Sequence, residues 1–272
     1  MVVIRTGEVA VLRLLGRERR RRGDVESAER SYRRALAVAD RHLPDDSLLA
    51  ARVRNDLGVL LKYTGGFREA AELYARAYEV LAAKLGVGDP EVATVLHNVG
   101  GLAHAAGRPS DGEAAARQAV TIREAALGAE HPDSAADRAA LAAILDATGR
   151  HDEAAALLEG ALIVYERALG ADHYDVAVTL GNLGAIDARR GELACAEQRL
   201  RRALTIKERT IGRDHLELAA TLGTLGVIRR RQGDTSEARE LYKRALGLFE
   251  SRGLDEHPHV ATLKANLKRL DP

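Results

Sequence analysis

The sequence has no tryptophan, one methionine, one cysteine, six prolines and only 3% aromatic residues. The lone Cys195 excludes an internal disulfide, and with it the small secreted folds that disulfides hold together. A reducing compartment, the cytoplasm, is the expectation. With few prolines and aromatics, leucine and alanine must build the interior. Alanine loses little side-chain entropy on becoming helical and lets helices approach closely, so the composition is that of an all-α protein. No apolar run nears the roughly 18 residues needed to cross a bilayer. The start MVVIRTGEVAVLRLLGRERRRR is apolar and then basic, the reverse of a signal peptide. Neither sign of charge dominates: 41 basic and 40 acidic side chains leave a net +1, without the basic excess of a nucleic-acid-binding domain. Glycine-rich phosphate loops and HExxH or CxxC pairs are missing, so no cofactor, no metal and no catalytic residue is expected.

What is there is a period of 42 residues. Gly23, Gly65, Gly107, Gly149, Gly191 and Gly233 keep it without a slip, and so do Ala35, Ala77, Ala119, Ala161, Ala203 and Ala245. Further series are Gly86, Gly128, Gly170, Gly212 and His131, His173, His215, His257. Each unit reads as two helices. In VAVTLGNLGAIDARRG, Val176, Leu180, Leu183 and Ile186 form one apolar stripe, closed by Gly191. In ELACAEQRLRRALTIKERTIG, Ala196, Leu200, Ala203, Leu204 and Ile206 supply the apolar face. Ser110 with Glu113 is placed for a capping box, Asp152 for a cap, and Pro90, Pro132 and Pro258 for first helical turns. Ala28, Ala70, Ala154, Ala196 and Ala238, with Gly112 as the exception, let the two helices of a hairpin pack closely. One hairpin cannot bury its stripe alone, so stacking must do it.

The expected organisation is a single solenoid of six hairpins, at about 6–42, 48–85, 90–127, 132–169, 174–211 and 216–252, with a capping helix at 258–270. The histidines fall one per repeat, before each first helix. They are too far apart to share one zinc, and helix-start capping is their expected role. Cys195 sits in the first turn of a second helix, where a thiol pKa is open to lowering, but no histidine of its own repeat accompanies it.

Asn182 to Gly184 followed by RRGELACAEQRLRRALTIKERTIGRDH (Arg189 to His215) resembles the tetratricopeptide repeat of kinesin light chains, nephrocystin-like proteins and the sensor domains of bacterial signalling ATPases. The resemblance covers roughly residues 8 to 270. It implies a right-handed α-α superhelix whose first helices line a concave face, and an asparagine on that face that holds the backbone of a bound peptide. The matching positions here are Leu14, Asp56, Asn98, Ala140, Asn182, Thr224 and Asn266. Asn98, Asn182 and Asn266 match, Asp56 and Thr224 are polar substitutes, and Leu14 and Ala140 depart. An amide donates and accepts at once, so it can pair with both groups of a peptide; it can equally bond to an adjacent helix. Seven residues on, the series reads Arg21, Tyr63, Ala105, Ala147, Arg189 and Arg231. Those arginines suit carboxylates or phosphates, or simply the last turn of a helix.

The reading is therefore a protein-interaction scaffold that binds an extended peptide or a partner domain, with a lean toward acidic partners. The peptide-binding candidates are Asp56, Asn98, Asn182, Thr224, Asn266, Arg21, Tyr63, Arg189 and Arg231. The alternative is a sensor or regulatory subunit of a bacterial signalling or transcription system whose output domain lies on another protein. Nucleic acid and membrane are not expected partners. The run Arg19 to Arg22 is either a grip for an acidic partner or a solvated helix face. The apolar VVIRTGEVAVLRLL is a candidate homodimer surface.

Overall fold

The computed structural model describes residues 2–270. They form thirteen helices, and no strand occurs among the described residues. The helices are α1 (Val2–Arg21), α2 (Val25–His42), α3 (Leu48–Thr64), α4 (Phe67–Leu85), α5 (Pro90–Ala105), α6 (Pro109–Leu127), α7 (Pro132–Ala147), α8 (His151–Leu169), α9 (Tyr174–Arg190), α10 (Leu193–Ile211), α11 (Leu218–Arg231), α12 (Thr235–Glu250) and α13 (Pro258–Lys268). The architecture is an all-α helical solenoid built of two compact units, Met1–Arg150 and His151–Pro272. In the first unit α1/α2, α3/α4 and α5/α6 are hairpins, and the first helices α1, α3, α5 and α7 stand side by side. In the second, α9/α10 and α11/α12 are hairpins, α9 stands beside α11, and α13 packs on α12.

The punctuation has local causes. Gly65 and Gly191 close first helices at φ 84° and 86°, in the left-handed region that costs glycine nothing. Pro90, Pro132 and Pro258 each open a helix. The Nδ1 atoms of His131, His173, His215 and His257 accept the backbone N–H two residues on, at 3.1, 3.2, 3.3 and 3.2 Å. His131, His173 and His257 thereby cap α7, α9 and α13, whereas His215 bonds within the turn before α11, whose N-cap is Glu217. Ser110 is not a cap: Pro109 opens α6 one residue earlier, behind Arg108. Glu113 instead pairs with Arg117 and Arg150, at 2.8 and 2.6 Å. Asp152 likewise falls inside the first turn of α8 and pairs with Arg190.

Within hairpins the close approach is made by a glycine of the first helix under a large residue of the second. A Cβ on Gly16, Gly58 or Gly226 would come within 2.5–2.6 Å of the ring of Tyr32, Tyr74 or Tyr242. These tyrosines are fully buried, and the hydroxyls of Tyr32 and Tyr74 have no hydrogen-bond partner. Burial, then the charge of Asp56, pushes the Tyr32 phenol up to about 12. On the outer faces, arginines of one second helix pair with glutamates of the next. Arg33 reaches Glu69 and Arg201 reaches Glu237, both at 2.7 Å, so much of the positive charge is spent within the protein.

Candidate functional site

The free faces of the first helices carry the candidate residues. In the first unit most are already engaged. Arg13 of α1 donates through Nε to Asp56 at 2.7 Å, so this acid is buried and paired. Asn98 Nδ2 donates to Asn55 Oδ1 of the preceding first helix at 2.9 Å. Arg52 forms a two-pronged bond with Glu91, at 2.7 and 2.6 Å, which holds that carboxyl below its ordinary range. Arg21 lies on Glu18 at 2.7 Å, and Tyr63 is exposed with the Lys62 ammonium 4.9 Å from its ring centre. Burial, with the nearby charge of Arg20, pushes the Lys62 ammonium down. Arg21 and Tyr63 share a hollow of about 670 Å³ with Leu14, Arg17, Arg20 and Leu60.

In the second unit Asn182 and Arg189 are exposed on α9. Arg231 donates through Nη1 to the carbonyl of Ala188 at 2.9 Å, tying the ends of α11 and α9 together. Thr224 donates to the carbonyl of Ala220 one turn back, at 3.0 Å. Thr224 and Asn266 line one cavity of about 700 Å³ between α11 and α13. The structure thus brings Arg21 to Tyr63 and Thr224 to Asn266. It engages Asp56, Asn98 and Arg231 with neighbouring helices and leaves Asn182 facing solvent.

One cluster was not anticipated. Arg123 of α6 donates through Nε to Asp137 Oδ2 at 2.9 Å, through Nη1 to the carbonyl of Pro90 at 3.1 Å, and through Nη2 to Thr94 Oγ1 at 3.1 Å. His97 Nδ1 meets the other Asp137 oxygen at 2.7 Å. The signal was in the register. The position of Asp137 holds Val53, Val95, Thr179, Thr221 or Leu263 in other repeats, so a carboxylate there is an exception. Asn55 and Phe249 were also missed, because no series singled them out.

Among the described residues no group of three or more His, Cys, Asp or Glu is placed to hold a metal. The Cys195 thiol is raised, not lowered: burial first, then a hydrogen bond to Asp187, disfavour the thiolate. No described helix is long and apolar enough to cross a membrane.

Stacked antiparallel helix pairs with a recurring free face on the first helix define a helical repeat protein, a class whose fold is typically a non-catalytic scaffold. The chain belongs to the tetratricopeptide repeat family: the family model, Tetratricopeptide repeat, matches residues 8–83, 91–159, 138–209 and 188–251. No curated protein matches. Among solved structures, BtubC (BKLC) from P. vanneervenii is similar at 23% identity, over 84% of this chain and 92% of that one, with a TM-score of 0.69. The nearly identical TPR-like repeats of a Podosopora anserina kinesin light chain are similar at 22% identity, over 77% of this chain and 98% of that one, with a TM-score of 0.61. A Rap protein complexed with competence and sporulation factor is similar at 12% identity, over 97% of this chain and 74% of that one, with a TM-score of 0.68. These likenesses establish a common fold.

Proposed function

We propose that the protein is an interaction scaffold that holds an extended peptide of a partner protein against the free faces of its first helices. The observation that carries the reading is the polar series on those faces. Asn182 is exposed, Thr224 and Asn266 line one cavity, and Arg21 and Tyr63 line another hollow. Asp56, Asn98 and Arg231 act here mainly by fixing the spacing of neighbouring first helices, with Asn98 retaining its amide oxygen for a ligand. Arg189 at the end of α9, and Arg21, give the face its lean toward acidic partners. The test is affinity capture from the source cell with the wild type and an Asn98→Ala/Asn182→Ala variant as baits. A partner recovered at least about 10-fold less with the variant, the effect of roughly 1.4 kcal/mol of binding energy, supports the reading. Identical partners on both baits remove it.

The likeness to a Rap protein complexed with competence and sporulation factor favours a second reading, a regulatory subunit whose bound ligand alters an output domain on another protein. A captured partner carrying a DNA-binding or nucleotide-binding domain would select that reading over a stand-alone adaptor.

Self-association of two copies is part of the same proposal. Val11 and Leu15 of α1 are 57% and 43% exposed, whereas Val53 and Leu57, in the same register of α3, are fully buried. With Ile4 they make an apolar stripe of helical spacing. Sedimentation equilibrium is expected to give a dimer for the wild type and a monomer for Val11→Lys/Leu15→Lys. A monomeric wild type removes the dimer.

A further inference from the structure

The same place in the repeat is plugged in α5–α7 and open in α11–α13. In the first case Arg123, Asp137, His97, Thr94 and the Pro90 carbonyl fill it with bonded polar groups. A shift of 126 residues, three repeats, carries those positions onto Phe249, Leu263, Gly223, Ala220 and Leu216. Every polar side chain of the plug becomes apolar or vanishes, and a cavity of about 700 Å³ is left, within the size range of ligand pockets.

Two features say what would enter. The first is Asn266, which lines the cavity and is only 8% exposed. Its Oδ1 accepts from Arg269 at 3.5 Å, while its Nδ2 donates to no described group. An amide donor left without a partner and facing an apolar cavity is matched by a carbonyl oxygen. The second is a wall of rings. Phe249 and His257 have centroids 4.9 Å apart, and His257 and His259 stack at 5.2 Å with planes 14° apart. Such a wall favours a flat apolar group over an aliphatic chain of equal volume. The one acid that lines the cavity, Glu217, already accepts from the Tyr174 hydroxyl at 2.6 Å and opposes an anionic occupant.

We propose that this cavity takes one bulky aromatic side chain of the bound peptide, with Asn266 donating to the backbone carbonyl beside it. The inference rests on the peptide-scaffold reading and adds its specificity: an uncharged aromatic anchor at the α11–α13 end.

The probe is N-acetyl-tryptophanamide, which carries an indole and flanking peptide groups. The chain has no tryptophan, so indole fluorescence reports the probe alone. Saturable binding near the millimolar range, about what so small a ligand can reach, is expected, and N-acetyl-alaninamide should not compete. A Cβ on Gly223 would meet only Leu263 Cδ2, at an ordinary 3.4 Å, so Gly223→Val should fold while its side chain occupies the cavity. It is expected to weaken the probe at least about 10-fold, and Asn266→Ala about 3- to 10-fold. Thermal unfolding verifies the fold, and Ala220→Leu is a second filling variant should Gly223→Val fail to fold. No binding by the wild type, or unchanged binding by a folded filled variant, overturns the proposal. If the probe fails while Asn98→Ala/Asn182→Ala loses its partner, the cavity assignment falls and the scaffold reading stands. If the probe binds but capture is unaffected by that variant, the scaffold reading falls and with it the peptide as occupant.

Discussion

Asp137→Ala is expected to destabilise the protein by about 3–5 kcal/mol, because it strips a buried cation of its counter-charge. Asp137 is 2% exposed and Arg123 is 8% exposed. The guanidinium keeps its bonds to the Pro90 carbonyl and Thr94, both at 3.1 Å, but those groups carry no charge. His97 loses its partner as well. The pair itself is not needed for stability. One repeat earlier the same two positions are Leu81 and Val95, both buried. Arg123→Leu/Asp137→Val should therefore recover most of the loss, since apolar replacement of a buried ion pair is often neutral or stabilising. Chemical denaturation of the two single variants and the double closes the cycle. The coupling between the sites should be on the order of 0.5–3 kcal/mol or more. A cost below about 1 kcal/mol for Asp137→Ala would mean that water already reaches Arg123.

Gly112→Ala is expected to cost about 1–3 kcal/mol by overpacking, although five other repeats carry alanine at that position. Helix propensity alone would give a gain of roughly 1 kcal/mol, so the two effects differ in sign. A Cβ on Gly112 would lie 2.8 Å from the Gly100 carbonyl oxygen and 2.9 Å from the Ala103 Cβ. One of these is backbone and cannot step aside. The cause lies four residues on. Where other hairpins place Tyr32, Tyr74, Leu158, Leu200 or Tyr242, this one has Ala116. With no large side chain between them α5 and α6 close up, and Gly112 makes room. A rise in melting temperature for Gly112→Ala would refute the close approach.

The 42-residue period made most of the fold legible, because it states directly which positions share a face. Pro90, Pro132 and Pro258 open helices, Asp89 caps the first of these and His131 and His257 the other two, and His173 caps α9. The capping box at Ser110 misled, because Pro109 is itself an acceptable first helical residue and moves the start back. A repeat says less about whether neighbours reach one another. Asp56 is taken by Arg13 and Asn98 bonds Asn55, each across 43 residues in sequence. Those distances follow from how closely first helices stand, which no series of identities encodes. The cavity beside Asn266 is of the same kind: it exists because Gly223, Ala220 and Phe249 are absences of a polar plug found elsewhere. Only the comparison of two repeats in three dimensions exposes it.

The most direct test of the scaffold is hydrogen exchange on the protein bound to a peptide selected from a random display library. Slowed exchange concentrated in first helices, α9, α11 and α13 among them, with binding weakened by Asn98→Ala/Asn182→Ala, is the predicted result. Protection confined to second helices such as α4 and α10, with the variant binding as tightly as the wild type, would contradict it.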